Sequence, residues 1–134
     1  MYKPLENYTV GRNEITSGTV SPSYILPIQG LQRLQKIMDE YVGGTSTDYL
    51  TNEPMLLRGI ELLTMLKEDM SNIGADSLHQ LQRAWELNHR VLASECVTQH
   101  TLYRKETRWP GYYYRGDHPK LDDKDWHCLS LIHI

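Results

Sequence analysis

Apolar residues fall at helical spacing in three separate stretches of the chain. In the first, Leu31, Leu34, Met38, Tyr41 and Val42 follow the i, i+3, i+4 rule, which predicts a helix over 29–42. Gly43 and Gly44 supply its stop. In the second, Met55, Leu56, Ile60, Leu63, Leu66 and Met70 form a stripe widened by Leu57, Leu62 and Met65. This predicts a helix over 54–72, covered on two sides. Thr51 or Asn52 can cap it, and Pro54 is tolerated in a first turn whose N–H groups lack helical partners anyway. The third stretch starts from a cap at Asp76 or Ser77 and reaches Lys105. Its stripe is Leu78, Leu81, Trp85, Leu92, Cys96 and Leu102, with Ala84 and Val91 beside it. Such a helix would be about 43 Å long. Asn88, Glu95 and Gln99 lie near the stripe and are expected to find hydrogen-bond partners there. The predicted fold class is mainly α: a three-helix antiparallel bundle over 29–108, with extended N- and C-terminal arms. Short connections make neighbouring helices antiparallel.

The arms lack helical period. Residues 1–28 hold Pro4, Gly11, Gly18, Pro22 and Pro27 and read as an extended connecting segment. Beyond Arg108, Pro110 and Gly111 break the chain, and three consecutive tyrosines favour an extended conformation. Residues 109–128 thus form an aromatic arm followed by a turn. In a strand, Tyr112 and Tyr114 face one way and Tyr113 the other. Such rings can stack on a flat heterocycle while Arg115 meets a phosphate. They can also anchor the arm on another domain, and anchoring is the favoured reading.

Composition narrows the function classes. The 134 residues suit one domain, with 40% hydrophobic and 23% charged positions. A net charge of −3 argues against a nucleic-acid surface. The local basic group Arg104, Lys105 and Arg108 sits beside Glu106 at an expected helix end, where cations offset the dipole. Cys96 and Cys128 form no CxxC, so the chain lacks the four thiolates of an iron–sulfur cluster. They read as reduced thiols of a cytoplasmic protein. No apolar run approaches the roughly 20 residues of a membrane helix, and no leader follows Met1.

Candidate chemistry is sparse. Cys96 and His100 share a helix face and can begin a zinc site, but His118, His127 and Cys128 would complete it only by coincidence of folding. The packed-cysteine reading is favoured, so no metal ligand is assigned. Asp122, Asp123 and Asp125 suit a solvated turn or the cap of a short helix leading to Trp126. Glycine-rich phosphate loops and a Gly-x-Ser-x-Gly nucleophile are missing from the sequence. No catalytic or cofactor-binding residue is assigned.

One segment is more specific. The run Glu106-Thr-Arg-Trp-Pro-Gly-Tyr-Tyr-Tyr-Arg-Gly-Asp-His-Pro-Lys-Leu-Asp-Asp-Lys-Asp-Trp-His-Cys128 resembles the late part of dissimilatory adenylylsulfate reductase alpha subunits. Lys36-Ile-Met-Asp-Glu-Tyr-Val-Gly-Gly44 and Arg83-Ala-Trp-Glu86 are similar to the same family. Glu106, Arg108, Arg115, Asp117, Pro119, Asp122, Asp123 and Trp126 also resemble a pattern in the late helical domain of fumarate reductase and succinate dehydrogenase flavoproteins. Thr107 departs from the serine of that pattern, and the Trp-Pro-Gly-Tyr insert is longer.

The resemblance implies a parent subunit that binds FAD and reduces adenosine 5′-phosphosulfate to AMP and sulfite, or runs the reverse. It implies partners too: the FAD-binding and capping domains of the same subunit, and a beta subunit carrying [4Fe–4S] clusters. Those domains precede this region in the family, so the piece is expected to be structural support, inactive alone, with no nucleic-acid partner and no membrane insertion. Its expected structural and interface residues are Glu106, Arg108, Trp109, Tyr112, Tyr113, Tyr114, Arg115, Asp117, Asp122, Asp123 and Trp126. Arg108 and Arg115 are expected to pair with acids such as Glu106 and Asp117, and the tyrosines to dock on the flavin domain. The alternatives are a stand-alone helical interaction module and a fragment of a fumarate reductase- or succinate dehydrogenase-like flavoprotein. Residues 129–134 read as a translated sequencing adaptor rather than native sequence, and Met1 as an internal methionine.

Overall fold

The structure, a computed structural model, describes residues 9–10, 24–108 and 113–127. The 129–134 segment and most of the expected N-terminal arm lie outside the described residues. The fold is mainly helical. Its three long helices are α1 (Pro27–Tyr41), α2 (Glu53–Asp69) and α3 (Leu78–Tyr103), followed by a short α4 (Asp123–Trp126). Two-residue strands fall between them: β1 (Thr9–Val10), β2 (Leu50–Thr51), β3 (Gly74–Ala75) and β4 (Tyr114–Arg115).

Local chemistry sets the helix starts. α1 begins at Pro27, two residues before the expected start. Proline at the first helical position loses no bond, and the Gln29 side-chain oxygen accepts the Leu26 N–H at 2.9 Å. At α2 the cap is Asn52, whose Oδ1 accepts the Met55 N–H at 3.0 Å. Thr51 is buried instead, its hydroxyl donating to the Tyr41 carbonyl at 2.8 Å. Ser77 caps α3, its Oγ accepting the Gln80 N–H at 3.2 Å. α3 ends at Tyr103, two residues earlier than expected.

The chain forms two compact units, one of residues 1–35 with 63–93 and one of residues 36–62 with 94–134. In the first, β1 pairs in parallel with β3 in the register Thr9↔Gly74 and Val10↔Ala75, and Ile25 bridges to Ile73. A Cβ on Gly74 would lie 2.4 Å from the Tyr24 ring, so only glycine lets that ring lie on β3. Arg33 and Asp69 join the start of α1 to the end of α2 by an ion pair.

In the second unit, β2 pairs in parallel with β4 in the register Leu50↔Tyr114 and Thr51↔Arg115. The Asp39 carboxylate accepts the Ser46 N–H at 3.1 Å and the Thr45 hydroxyl at 3.2 Å, shaping the turn after α1. A Cβ on Gly44 would approach the Asp39 Cα to 2.4 Å, so this close return of the backbone needs glycine.

The buried faces correct two sequence expectations. α3 packs through Ala84 and Val91, expected beside the stripe, together with Leu87, Thr98 and Thr101; within the stripe itself only Leu81 and Leu102 are half-buried. Leu78, Trp85 and Leu92 are 76%, 47% and 38% exposed, and Cys96 is exposed. Small and β-branched side chains suit the close packing, and the Thr98 and Thr101 hydroxyls satisfy themselves on the Ser94 and Val97 carbonyls. On α2, Leu56, Leu63 and Leu66 are buried while Leu57 and Met65 are exposed, so α2 is not covered on two sides by the described residues.

Urea unfolding of single variants separates the two α3 faces. Leu87→Ala is expected to cost about 2–5 kcal/mol. Leu78→Ala is expected to stay within about 0.5 kcal/mol of the wild type. Equal losses would contradict the observed face.

Candidate functional site

The arm returns from the end of α3 and builds a charged cluster inside the second unit. β4 is held beside β2 by bonds from the Tyr114 N–H to the Tyr49 carbonyl (2.7 Å) and from the Gly116 N–H to the Thr51 carbonyl (2.8 Å). This register sends the Arg115 side chain inward, where it is fully buried. Its Nη1 donates to the carbonyls of Thr101, Leu102 and Arg104. The first two belong to the last turn of α3 and the third lies just past its end, where helical N–H partners run out. Its Nε and Nη2 donate to Asp117 Oδ1 at 2.8 Å and Oδ2 at 2.7 Å. Asp117 Oδ2 also accepts the N–H of Glu53, the first residue of α2, at 3.1 Å. A cation thus sits at the negative end of α3 and an anion at the positive end of α2. The Arg115 hydrogen bonds hold the Asp117 carboxyl well below its ordinary value, at about 2.

Two further arginines, Arg104 and Arg108, surround Glu106, which is also fully buried. Its carboxylate accepts Arg104 Nε at 2.7 Å, Arg108 Nε at 2.7 Å and Nη2 at 3.0 Å, and the Asp122 N–H at 3.0 Å. Burial opposes its ionisation. The hydrogen bonds from Arg108, the Asp122 N–H and Arg104 outweigh that and hold its pKa below the ordinary value. Arg108 continues to Asp123 at 2.8 Å, and that hydrogen bond keeps this carboxyl low as well.

The remaining expected residues divide. Asp122 caps α4, its Oδ1 accepting the N–H groups of Lys124 and Asp125. Trp126 meets the Tyr103 ring edge-on at 5.3 Å, and the Arg104 guanidinium lies 5.9 Å from its ring. Tyr113 is half-buried, and burial pushes its phenol pKa up, while Tyr114 is exposed. Trp109 and Tyr112 lie outside the described residues. Thr107 was not singled out as a contact, yet it is buried. Its hydroxyl accepts the Arg115 N–H at 3.0 Å and donates to the His118 carbonyl at 2.9 Å. Nothing in a helix-period pattern marks such a residue; only its place between Glu106 and Arg108 hints at it.

The chemistry of this cluster is closed. Every nitrogen of the Arg115 and Arg108 guanidinium groups has an internal acceptor, so neither presents a free cation to a phosphate. On α3, His100 Nδ1 is spent on the Cys96 carbonyl at 2.7 Å. Among the described residues, no group of three or more His, Cys, Asp or Glu side chains is placed to hold a metal.

With that geometry in place, comparison with known proteins gives the context. Residues 31–134 match the family described as the C-terminal part of fumarate reductase flavoproteins. The chain belongs to this family. It is 42% identical over 96% of its length to the adenylylsulfate reductase alpha subunit of Megalodesulfovibrio gigas, of which it spans 19%. It is 30% identical over 76% of its length to a FAD-dependent oxidoreductase of Methanocaldococcus jannaschii, spanning 17% of that protein. The structure superposes on adenylylsulfate reductase from Archaeoglobus fulgidus with a TM-score of 0.78 and 58% identity, covering 86% of this chain and 18% of that one. The same values hold for an adenosine-5-phosphosulfate reductase in complex with sulfite as a covalent adduct. The chain spans about a fifth of the length of these relatives. A stand-alone interaction module is not favoured by this membership. No helix among the described residues is long and apolar enough to cross a membrane.

Removing one partner of the buried pair leaves the other charge uncompensated. Arg115→Met is expected to cost about 3–5 kcal/mol in urea unfolding. The pH dependence has a fixed sign. An unfolded Asp117 titrates near 3.8 and the folded one at about 2. Its contribution is therefore full above about pH 4 and fades as pH falls toward 2. Asp117→Asn should be less stable at neutral pH and lose less stability across that acid window, measured by unfolding at a series of pH values. An unchanged acid slope would contradict the assignment.

Proposed function

We propose that this chain is the C-terminal helical part of the FAD-containing alpha subunit of a cytoplasmic dissimilatory adenylylsulfate reductase. The parent subunit reduces adenosine 5′-phosphosulfate to AMP and sulfite, or runs the reverse, with electrons exchanged through a beta subunit carrying [4Fe–4S] clusters. The observation that carries this reading is the 42% identity across 96% of the chain to the alpha subunit from M. gigas. The higher identity to the sulfur enzymes than to the M. jannaschii oxidoreductase favours them over a general flavoprotein fragment.

Within the parent, the role of this piece is to brace the cofactor-bearing body. Positioning of reacting groups depends on the packed layers behind them. The ionic clamp supports this role because it fixes the ends of α2 and α3 and the base of the aromatic arm without offering a reactive group. Trp109, Tyr112, Tyr113 and Tyr114 are then the anchors toward the flavin and capping domains.

A chimera tests the reading: residues 31–127 replace the matching segment of the M. gigas alpha subunit, produced with its own beta subunit. Activity within about tenfold of the parent enzyme is expected; a flavin-loaded chimera slower by about a hundredfold or more would contradict the proposal. Separately, the chain as it stands, mixed with FAD and passed through gel filtration, should retain no yellow colour. Stoichiometric retained flavin would show a binding site in this piece and refute the bracing role.

A further inference from the structure

We infer that the outward face of the first half of α3 is a seam for one helix of the parent subunit's own cofactor-bearing body. The inference rests on the proposed function above. Leu78, Trp85 and Leu92 recur at seven-residue intervals, and all are exposed although large and apolar. Residues seven apart on an α-helix drift by only about 20°. The three therefore line one narrow stripe, roughly opposite the buried Leu87 and Val91. Gln82 and His89 fall between them in the alternation of four and three that makes a coiled-coil seam. His89 lies with its ring 5.5 Å from that of Trp85, so the stripe is continuous at its centre.

The spacing says what covers it. A stripe of this period accepts another helix at a shallow crossing angle of about 20°. It is too short for a free partner: from Leu78 to Leu92 it spans about two heptads, whereas self-standing coiled coils take about three or four. A helix tethered in the same polypeptide avoids that limit, because tethering supplies a high effective concentration. Such a helix is at hand. The matched segment is the C-terminal part of a flavoprotein, and about four-fifths of the related alpha subunit lies outside it.

The chimera described above allows the test. A photo-crosslinking benzoylphenylalanine replaces Leu78, Trp85 or Leu92 in turn, and the linked peptides are identified by mass spectrometry. The expected result is three cross-links to one stretch of the M. gigas body in the same polypeptide, spaced in steps of three, four or seven residues. Trp85→Glu should raise the rate of limited proteolysis between body and helical part by about tenfold or more, with off-seam Arg90→Ala unchanged. Cross-links to a second copy, to the beta subunit or to scattered body segments would overturn the inference, as would no cross-link in an active chimera. An inactive chimera without flavin would remove the proposed function and this inference together.

Discussion

A guanidinium group at zero exposure needs an acceptor for each nitrogen, and Arg115 finds them at the ends of two helices. Three acceptors are carbonyls at and just past the end of α3, and two are the oxygens of a carboxylate that itself receives the first N–H of α2. Each helix end is thereby satisfied by a side chain from the returning arm. Isolating such a charge would cost several kcal/mol, and the fork geometry of arginine is what makes the arrangement tolerable. Lysine has three N–H donors on one nitrogen and cannot supply all five of these contacts.

The rest of the second unit follows from that placement. The side chain faces inward only because β4 lies beside β2 in a fixed register, and that register rests on the Thr51 and Tyr49 carbonyls. Thr107 holds the backbone of Arg115, and Glu106 draws Arg104, Arg108 and the start of α4 together. The cluster is rich in ionisable groups. Its carboxylates are held ionised by arginines, the opposite of the raised carboxyl that general-acid chemistry needs.

Much of this was legible in the sequence, and the parts that were not have physical reasons. The three helices follow from periodicity and breakers, and the pairing of Arg115 with an acid follows from the family resemblance. The buried face of α3 did not, because size was taken as a guide to burial. Ala84, Thr98 and Thr101 are small enough for close packing, while Leu78 and Trp85 lie on an outer face. A sequence pattern with two apolar faces cannot say which one the same chain covers. α1 starts two residues before the expected Gln29 because Pro27, a residue equally at home in an extended arm, occupies the first helical position. Thr107 and Thr51 act through single hydroxyls on distant carbonyls, which no local spacing encodes.

Hydrogen–deuterium exchange in the wild type and in Arg115→Met tests the central claim most directly. The Glu53 N–H bonds to Asp117, the carboxylate that Arg115 holds, and the Tyr114 and Gly116 N–H groups form the β2–β4 ladder that carries Arg115. They should lose protection together in the variant, while amides around Leu87 and Val91 keep theirs. Protection that survives at Glu53 and Tyr114 without the guanidinium would show that the helix ends and the arm do not depend on it.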